Sequence, residues 1–224
     1  MTAPNRATRS RPGPTTDTNE QATRRAVIDA AVASILERGF YRASSNEITR
    51  RAGVTWGVIQ HYFGTRESLM LAVLEDGARR FDEVVERGVI DGDTVAERVA
   101  QLLDVLAEHY GTQDYLAYMQ IALNMDHDPT TSAEVRSTLQ QVARRSADQL
   151  RTLIRATLGP ATSVPDLSTT VFLTLRGFVL SQLLLDTMTY DTVVPESDRV
   201  ARQRRLLAKM LAPYLEDAVR SAEK

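Results

Sequence analysis

Apolar residues in this chain recur three and four positions apart, and nowhere do they alternate with polar residues over a strand's length. Val27, Ile28, Ala31, Ile35 and Leu36 set the pattern. Val95, Val99, Leu102, Leu103, Leu106 and Tyr110 repeat it, and Leu206, Leu207, Met210, Leu211 and Leu215 carry it toward the end. This period puts apolar side chains on one face of an α-helix. An amphipathic helix buries that face against another element, and with no strands on offer the partner is another helix. The expected fold is all-α. Breaks at Gly39, Gly53, Gly64-Thr65, Gly92-Asp93-Thr94, Asp126-His127-Asp128-Pro129, Gly159-Pro160 and Pro195 use residues that end helices or make turns. With a further boundary between a helix that carries Tyr110 and a shorter one from about Gln113 to Met125, they divide the chain into nine helices. Pro213 should kink the last one or end its regular part.

Two of these helices are short and joined by a tight turn, within Ser44 to Phe63. Ser44 and Glu47 have the spacing of a capping box. Gly53 ends the first helix in a left-handed conformation, and Thr55 is the next N-cap. Ile59 and Phe63, four apart, give the second helix one buried face. So short a helix needs a domain beneath it. Its other face is left to touch something else, the outline of a DNA-binding helix-turn-helix.

Charge distribution supports that outline. The total is −2, but residues 1–64 hold nine arginines against five acids, a net +4, and the remainder is −6. Phosphate binding needs local positive charge, not a basic total. Arg24 and Arg25, in the first turn of a helix expected over about 21–38, oppose its dipole and hint at phosphate. Residues 1–18, rich in Pro, Thr and Arg, read as a disordered tail. Its Arg6, Arg9 and Arg11 either solvate the tail or reach a minor groove. Residues 19–65 are the expected DNA-binding domain and 66–224 a larger helical ligand-binding and dimerisation domain. No cysteine is present, so disulfides and thiolate sites are excluded. No secretory leader and no unbroken apolar run of membrane-spanning length is seen, and a cytoplasmic protein with no membrane partner is expected.

In the larger domain Tyr110, Tyr115, Tyr118, Met119, Met125, Phe172 and Phe178 suit either an ordinary core or an apolar or amphipathic ligand cavity between helices. Arg176 interrupts the otherwise almost uncharged run Val171 to Leu185. A charge there needs a partner, either an anionic ligand group or an acid across a dimer interface. Gly177 and Ser181, four apart, permit close helix approach. Catalysis is not expected. No Glu-x-x-His pair, nucleophile–base spacing or Gly-rich phosphate loop occurs. Glu108-His109 and Asp126-His127-Asp128 are the only metal-like groupings, and no metal or cofactor is expected.

The segment Thr23–Leu74 resembles the DNA-binding domain of the TetR family of bacterial transcriptional regulators. The likeness is carried by Val27-Ile28-Asp29-Ala30-Ala31, Glu37-Arg38-Gly39-Phe40, Glu47-Ile48, Ala52-Gly53-Val54-Thr55, Gly57, His61-Tyr62-Phe63 and Arg66-Glu67-Ser68-Leu69. The resemblance implies a homodimer reading a near-palindromic double-stranded DNA operator. It also implies a small-molecule effector in the larger domain that respaces the two reading heads and releases DNA, with the fourth helix as lever. The alternative is a helical-bundle binder or enzyme with an idle DNA-binding module. Trp56, Val58, Gln60 and Gly64 depart from the family's usual residues, so the operator cannot be borrowed from a relative.

The expected DNA-binding residues are Ser44, Thr55, Trp56, Gly57, Val58, Gln60, His61, Tyr62 and Arg66. Gln60 is suited to bidentate readout of adenine. Trp56 either packs on a thymine methyl or sugar or folds back over the core, and Val58 adds apolar contact to thymine. Ser44, Thr55, Tyr62 and Arg66 suit phosphate, with a pair to nearby acids as the alternative for Arg66. His61 is a DNA contact or a polar surface residue. The expected ligand-binding residues are Tyr110, Tyr115, Tyr118, Met119, Met125, Phe172 and Arg176.

Overall fold

The computed structural model describes residues 14–187 and 197–223. Arg6, Arg9, Arg11 and the expected turn at Pro195 lie outside the described residues. Among those described, the helices are α1 (Pro14–Arg38), α2 (Ser45–Ala52), α3 (Trp56–Phe63), α4 (Arg66–Arg87), α5 (Val95–Tyr110), α6 (Gln113–His127), α7 (Ala133–Leu158), α8 (Leu167–Thr187) and α9 (Ser197–Ala222). A 3-10 turn, Gly159–Ser163, separates α7 from α8. The nine expected helices are present, and no strand occurs among the described residues.

Local chemistry explains most helix ends. The Ser44 hydroxyl accepts from the Glu47 amide at 3.3 Å, but only half of the expected capping box forms there. The Glu47 carboxylate turns to Arg50 at 2.7 Å instead, a stronger, charge-assisted contact. A full capping box closes α5, where Thr94 and Glu97 bond each other's backbone amides. Gly53 stands at φ 68°, where a Cβ would strain, and its amide closes α2 on the Thr49 carbonyl.

Two ends differ from expectation. α1 starts at Pro14, because proline at a first helical position lacks only an N–H that would have no helical acceptor. The last residues of the supposed tail 1–18 are therefore helical. Arg24 and Arg25 lie well inside α1, which removes the dipole argument for them. At the other end, α9 runs through Pro213 to Ala222 instead of stopping.

The apolar core falls into two clusters. The first joins α1, α2, α3 and the start of α4 as far as Leu74, and takes in Ala117, Tyr118, Ile121 and Met125 of α6. The second joins Phe81 and Val84 of α4 with α5, the end of α7, α8 and α9. The expected division at 65/66 separates helices, whereas the cores part further along, inside α4. By length and composition Leu167–Leu185 of α8 would be able to cross a membrane. Arg176 breaks its apolar run without offsetting its leucines and valines. Here that helix lies against α5 and α7 with Val171, Leu175, Val179 and Leu183 buried.

Candidate DNA-reading face and body cavity

α3 is short, and its two faces are unlike. Ile59 is fully buried and Phe63 nearly so, which fixes the helix on the first core cluster. Trp56, Gly57, Gln60 and His61 are exposed on the opposite side, with Val58 half-buried beside them. Trp56 keeps 38% of its surface open. Trp56 and Gln60 are one turn apart, so they present a continuous edge. Tyr62 is half-buried against the core, edge-on to His61 and Phe63 at 5.1 and 6.4 Å between ring centroids. Thr55 is exposed, and its side chain makes no capping bond.

The arginines are less available than their number suggests. Arg66 donates to the backbone carbonyls of Phe40 at 2.6 Å and Ala43 at 3.4 Å, with its guanidinium 4.6 Å from the centre of the Phe40 ring. It forms no ion pair among the described residues, and these carbonyls, not a phosphate, occupy its guanidinium here. It clamps the turn between α1 and α2, and burial lowers its pKa. Arg38, Arg50 and Arg51 surround Glu47, and the Arg50 hydrogen bond above all holds that carboxyl below its usual range. Such exposed pairs are weak and can exchange for phosphate. Arg24 lies over the Phe63 ring at 5.4 Å. Arg42, exposed beside Tyr41 and the start of α2, has no ion pair among the described residues. It is the phosphate candidate that the sequence reading passed over.

The second feature is a cavity of about 610 Å³ between α4, α5, α6, α7 and α8. Tyr110, Tyr115, Tyr118, Met119, Phe172 and Arg176 line it as expected. Met125 does not; it is 3% exposed within the first core cluster, on the side of α6 turned to α1. His109, first noted only as metal-like, also lines the cavity, its ring tilted against Phe81 at 4.4 Å between ring centroids. Burial, and then the charge of Arg176, lower its pKa to about 4, so it is neutral near pH 7. Burial raises Tyr118 to about 12. α7 adds Leu139, Gln140 and Ser146, for which no aromatic signal existed. The other metal-like grouping is a turn: the Asp128 carboxylate accepts from the amide and hydroxyl of Thr130 at 2.8 and 2.7 Å.

α6 connects the two features. Tyr115, Tyr118, Met119 and Ala122 face the cavity, while Ala117 and Ile121 are fully buried in the first core cluster. Gln120 accepts the Phe40 amide at 3.1 Å, tying α6 to the end of α1. Asp114 pairs with Arg80 of α4 at 3.1 Å. Arg80 also meets Asp76 at 2.9 Å and Asp29 of α1 at 3.4 Å. Three helices thus share one ionic network above the cavity.

A helix-turn-helix head built onto a hollow helical body is the class of protein these features define. Residues 27–73 match the family model described as bacterial regulatory proteins, tetR family. The HTH-type transcriptional regulator BetI of Rhizobium meliloti (strain 1021) is 29% identical over 139 residues, 61% of this chain and 66% of that protein. The fatty acid metabolism regulator protein of Bacillus subtilis (strain 168) is 30% identical over 84 residues, 38% of this chain and 42% of that one. The chain therefore spans two thirds or less of these curated relatives. The solved structure of a transcriptional regulator FadR from Bacillus subtilis, in complex with stearoyl-CoA, shares the fold at a TM-score of 0.58 and 17% identity, covering 84% of this chain and 97% of that chain. The match to the tetR family model thus covers the head, residues 27–73, and the body shares its fold with the solved structure.

Proposed function

We propose that the protein is a homodimeric transcriptional regulator of the bacterial cytoplasm, reading a near-palindromic operator and released from it by a small amphipathic ligand. The observation that carries this reading is α3 itself, anchored by Ile59 and Phe63 and exposing Trp56, Gln60 and His61. Gln60 reads a base and Trp56 with Val58 pack on thymine. Ser44, Thr55, Tyr62 and Arg42 hold phosphates and fix register. Arg66 acts indirectly, by shaping the turn.

Dimerisation is supported by the outer faces of the last two helices. Leu173, Leu184 and Leu185 of α8 and Leu206, Met210 and Tyr214 of α9 are large apolar residues left exposed. Gly177 and Ser181 lie exposed beside them, and a Cβ on Gly177 would meet nothing within 4 Å. A second copy of the chain fits that surface and supplies the two-fold symmetry of a palindromic site.

Release follows from α6. A ligand filling the cavity displaces Tyr115 and Tyr118, whose helix is also part of the head's core. Ligand and operator then favour different placements of the head, and each shifts the population away from the other. The lever is α4 together with α6, not α4 alone. The regulator named in the Bacillus subtilis structure holds stearoyl-CoA, and such a site in that fold supports a ligand-bound body. The test is binding of the purified protein to DNA from its own promoter region at about 150 mM salt. Tighter binding than to random DNA of equal length is expected, and equal binding contradicts the reading.

A further inference from the structure

Arg176 is an ionised group placed where the fold gives it little company. Its Nη2 donates to the Tyr115 hydroxyl at 2.6 Å. Its Nε is buried with no hydrogen-bond partner. No carboxylate among the described residues forms an ion pair with it. The rings of Tyr110, Phe172 and Tyr115 surround the guanidinium at 5.1, 5.7 and 5.9 Å. These contacts are all within one chain and face the cavity, so an acid from a partner subunit would have to enter the cavity to reach it. Ring faces stabilise a cation by about 1–2 kcal/mol, less than a desolvated charge requires.

The surroundings do not neutralise it. His109 beside it is held uncharged, and Asp126, the acid lining the cavity, is exposed toward the end of α6. The cavity thus offers an unused guanidinium donor and one uncompensated positive charge within an aromatic wall. A carboxylate is the group that a planar guanidinium recognises best, through paired charge-assisted bonds. A cationic ligand would be repelled, and a neutral one would leave the charge unanswered.

Resting on the reading of this cavity as the effector site, we propose that the effector is an organic acid. Its carboxylate meets Arg176 and its flat or aliphatic apolar body lies against Tyr110, Tyr118, Met119 and Phe172. Arg176 thereby selects the charge of the ligand while the rings and Met119 select its shape.

The test uses the full chain without DNA and matched probes, by titration calorimetry. The probes are benzoate, 2-naphthoate and decanoate, with the primary amide of each and 2-naphthylmethylamine as the cation. At least one acid is expected to bind with its amide at least tenfold weaker, about 1.4 kcal/mol. Arg176→Gln should abolish the acid's advantage, weakening the acid far more than its amide, and Arg176→Lys should keep part of it. Equal binding of acid and amide, preference for the amine, or no acid binding below about 1 mM overturns the proposal. So does an Arg176→Gln protein that still prefers the acid. Operator binding is measured separately. Acid binding that leaves the operator complex intact would sink the regulatory reading and spare only the carboxylate preference of the cavity, and DNA release by neutral probes alone would do the reverse.

Discussion

Arg25 on α1 and Asp76 on α4 are joined by a 3.1 Å ion pair across 51 residues of chain, and the Asp76 side chain is only 5% exposed. Asp76 also receives Arg79 and Arg80 from its own helix. A buried carboxylate answered by three guanidinium groups fixes the angle between the first helix of the head and the helix that enters the body. Asp76→Asn leaves those cations without their acceptor. Because the arginines are 30–53% exposed and can turn to water, the expected loss of stability is about 1–3 kcal/mol, below the cost of breaking a fully buried pair. Asp29→Asn, at a 52% exposed partner, should cost under about 0.5 kcal/mol. Urea unfolding of both variants checks the contrast.

Gly77 follows Asp76 and lies under the Tyr118 ring. A Cβ there would sit 2.8 Å from Tyr118 Cε2 and 3.0 Å from Cζ. Gly77→Ala gains up to about 1 kcal/mol of helix propensity and incurs about 1–3 kcal/mol of overpacking against a rigid ring. The variant should be less stable than the parent, and the same change should be stabilising when combined with Tyr118→Leu. A double-mutant cycle in urea measures that coupling.

Arg66 and Arg42 should separate cleanly. Arg66→Ala removes charged donors from the Phe40 and Ala43 carbonyls and should cost about 1.5–3 kcal/mol of stability. The slope of log affinity for DNA against log salt should not change. Arg42→Ala should leave stability within about 0.5 kcal/mol and reduce that slope by about 0.9. Melting curves and a salt series with one duplex decide both.

His109 makes stability depend on pH. Its folded pKa, about 4, is below the ordinary histidine value of 6.5, so between these values the unfolded chain holds more protons. Stability is therefore intact above about pH 6.5 and falls as pH drops toward 4, by up to roughly 3 kcal/mol. His109→Gln should flatten that part of the profile. Urea midpoints at pH 7 and pH 5 for both proteins make the comparison.

The parts of this molecule that were legible in the sequence are the local ones. Ser44, Gly53, Ile59 and Phe63 declare a cap, a turn and a buried face within one or two helical turns of chain. The aromatic group in the body was legible only as a set suited to either a core or a cavity, and the packing of α4 to α8 brings six members of the expected ligand set to one cavity. What was not legible depends on how helices dock. Met119 and Met125 lie on one helix, and only the placement of α1 against α6 sends one into the cavity and the other into the core. Arg66 carries no local mark of its preference for carbonyls, since the Phe40–Ala43 turn that offers them lies more than 20 residues earlier. Asp76 and Gly77 look like ordinary helix residues until α1 and α6 are brought against them. Of the six described arginines in that positive field, Arg25, Arg38, Arg50 and Arg51 are answered by Glu37, Glu47, Asp29 and Asp76 once folded.

Gln60 should control sequence preference without controlling affinity at large. Gln60→Ala is expected to cost about 1–3 kcal/mol at one base pair of each half-site and to relax the choice of base there. Affinity for unrelated DNA should stay the same. Equal losses on every duplex would mean that Gln60 contacts no base.

The most direct measurement for the whole account is selection of bound duplexes from random DNA by the full chain at about 150 mM salt. The account predicts enrichment of a two-fold symmetric site with half-sites one helical turn or more apart, bound at least about a thousandfold tighter than its scrambled version. The Gln60→Ala protein should enrich a related site that has lost preference at one position in each half. Recovery of no common sequence, or of an asymmetric one indifferent to Gln60, would contradict it.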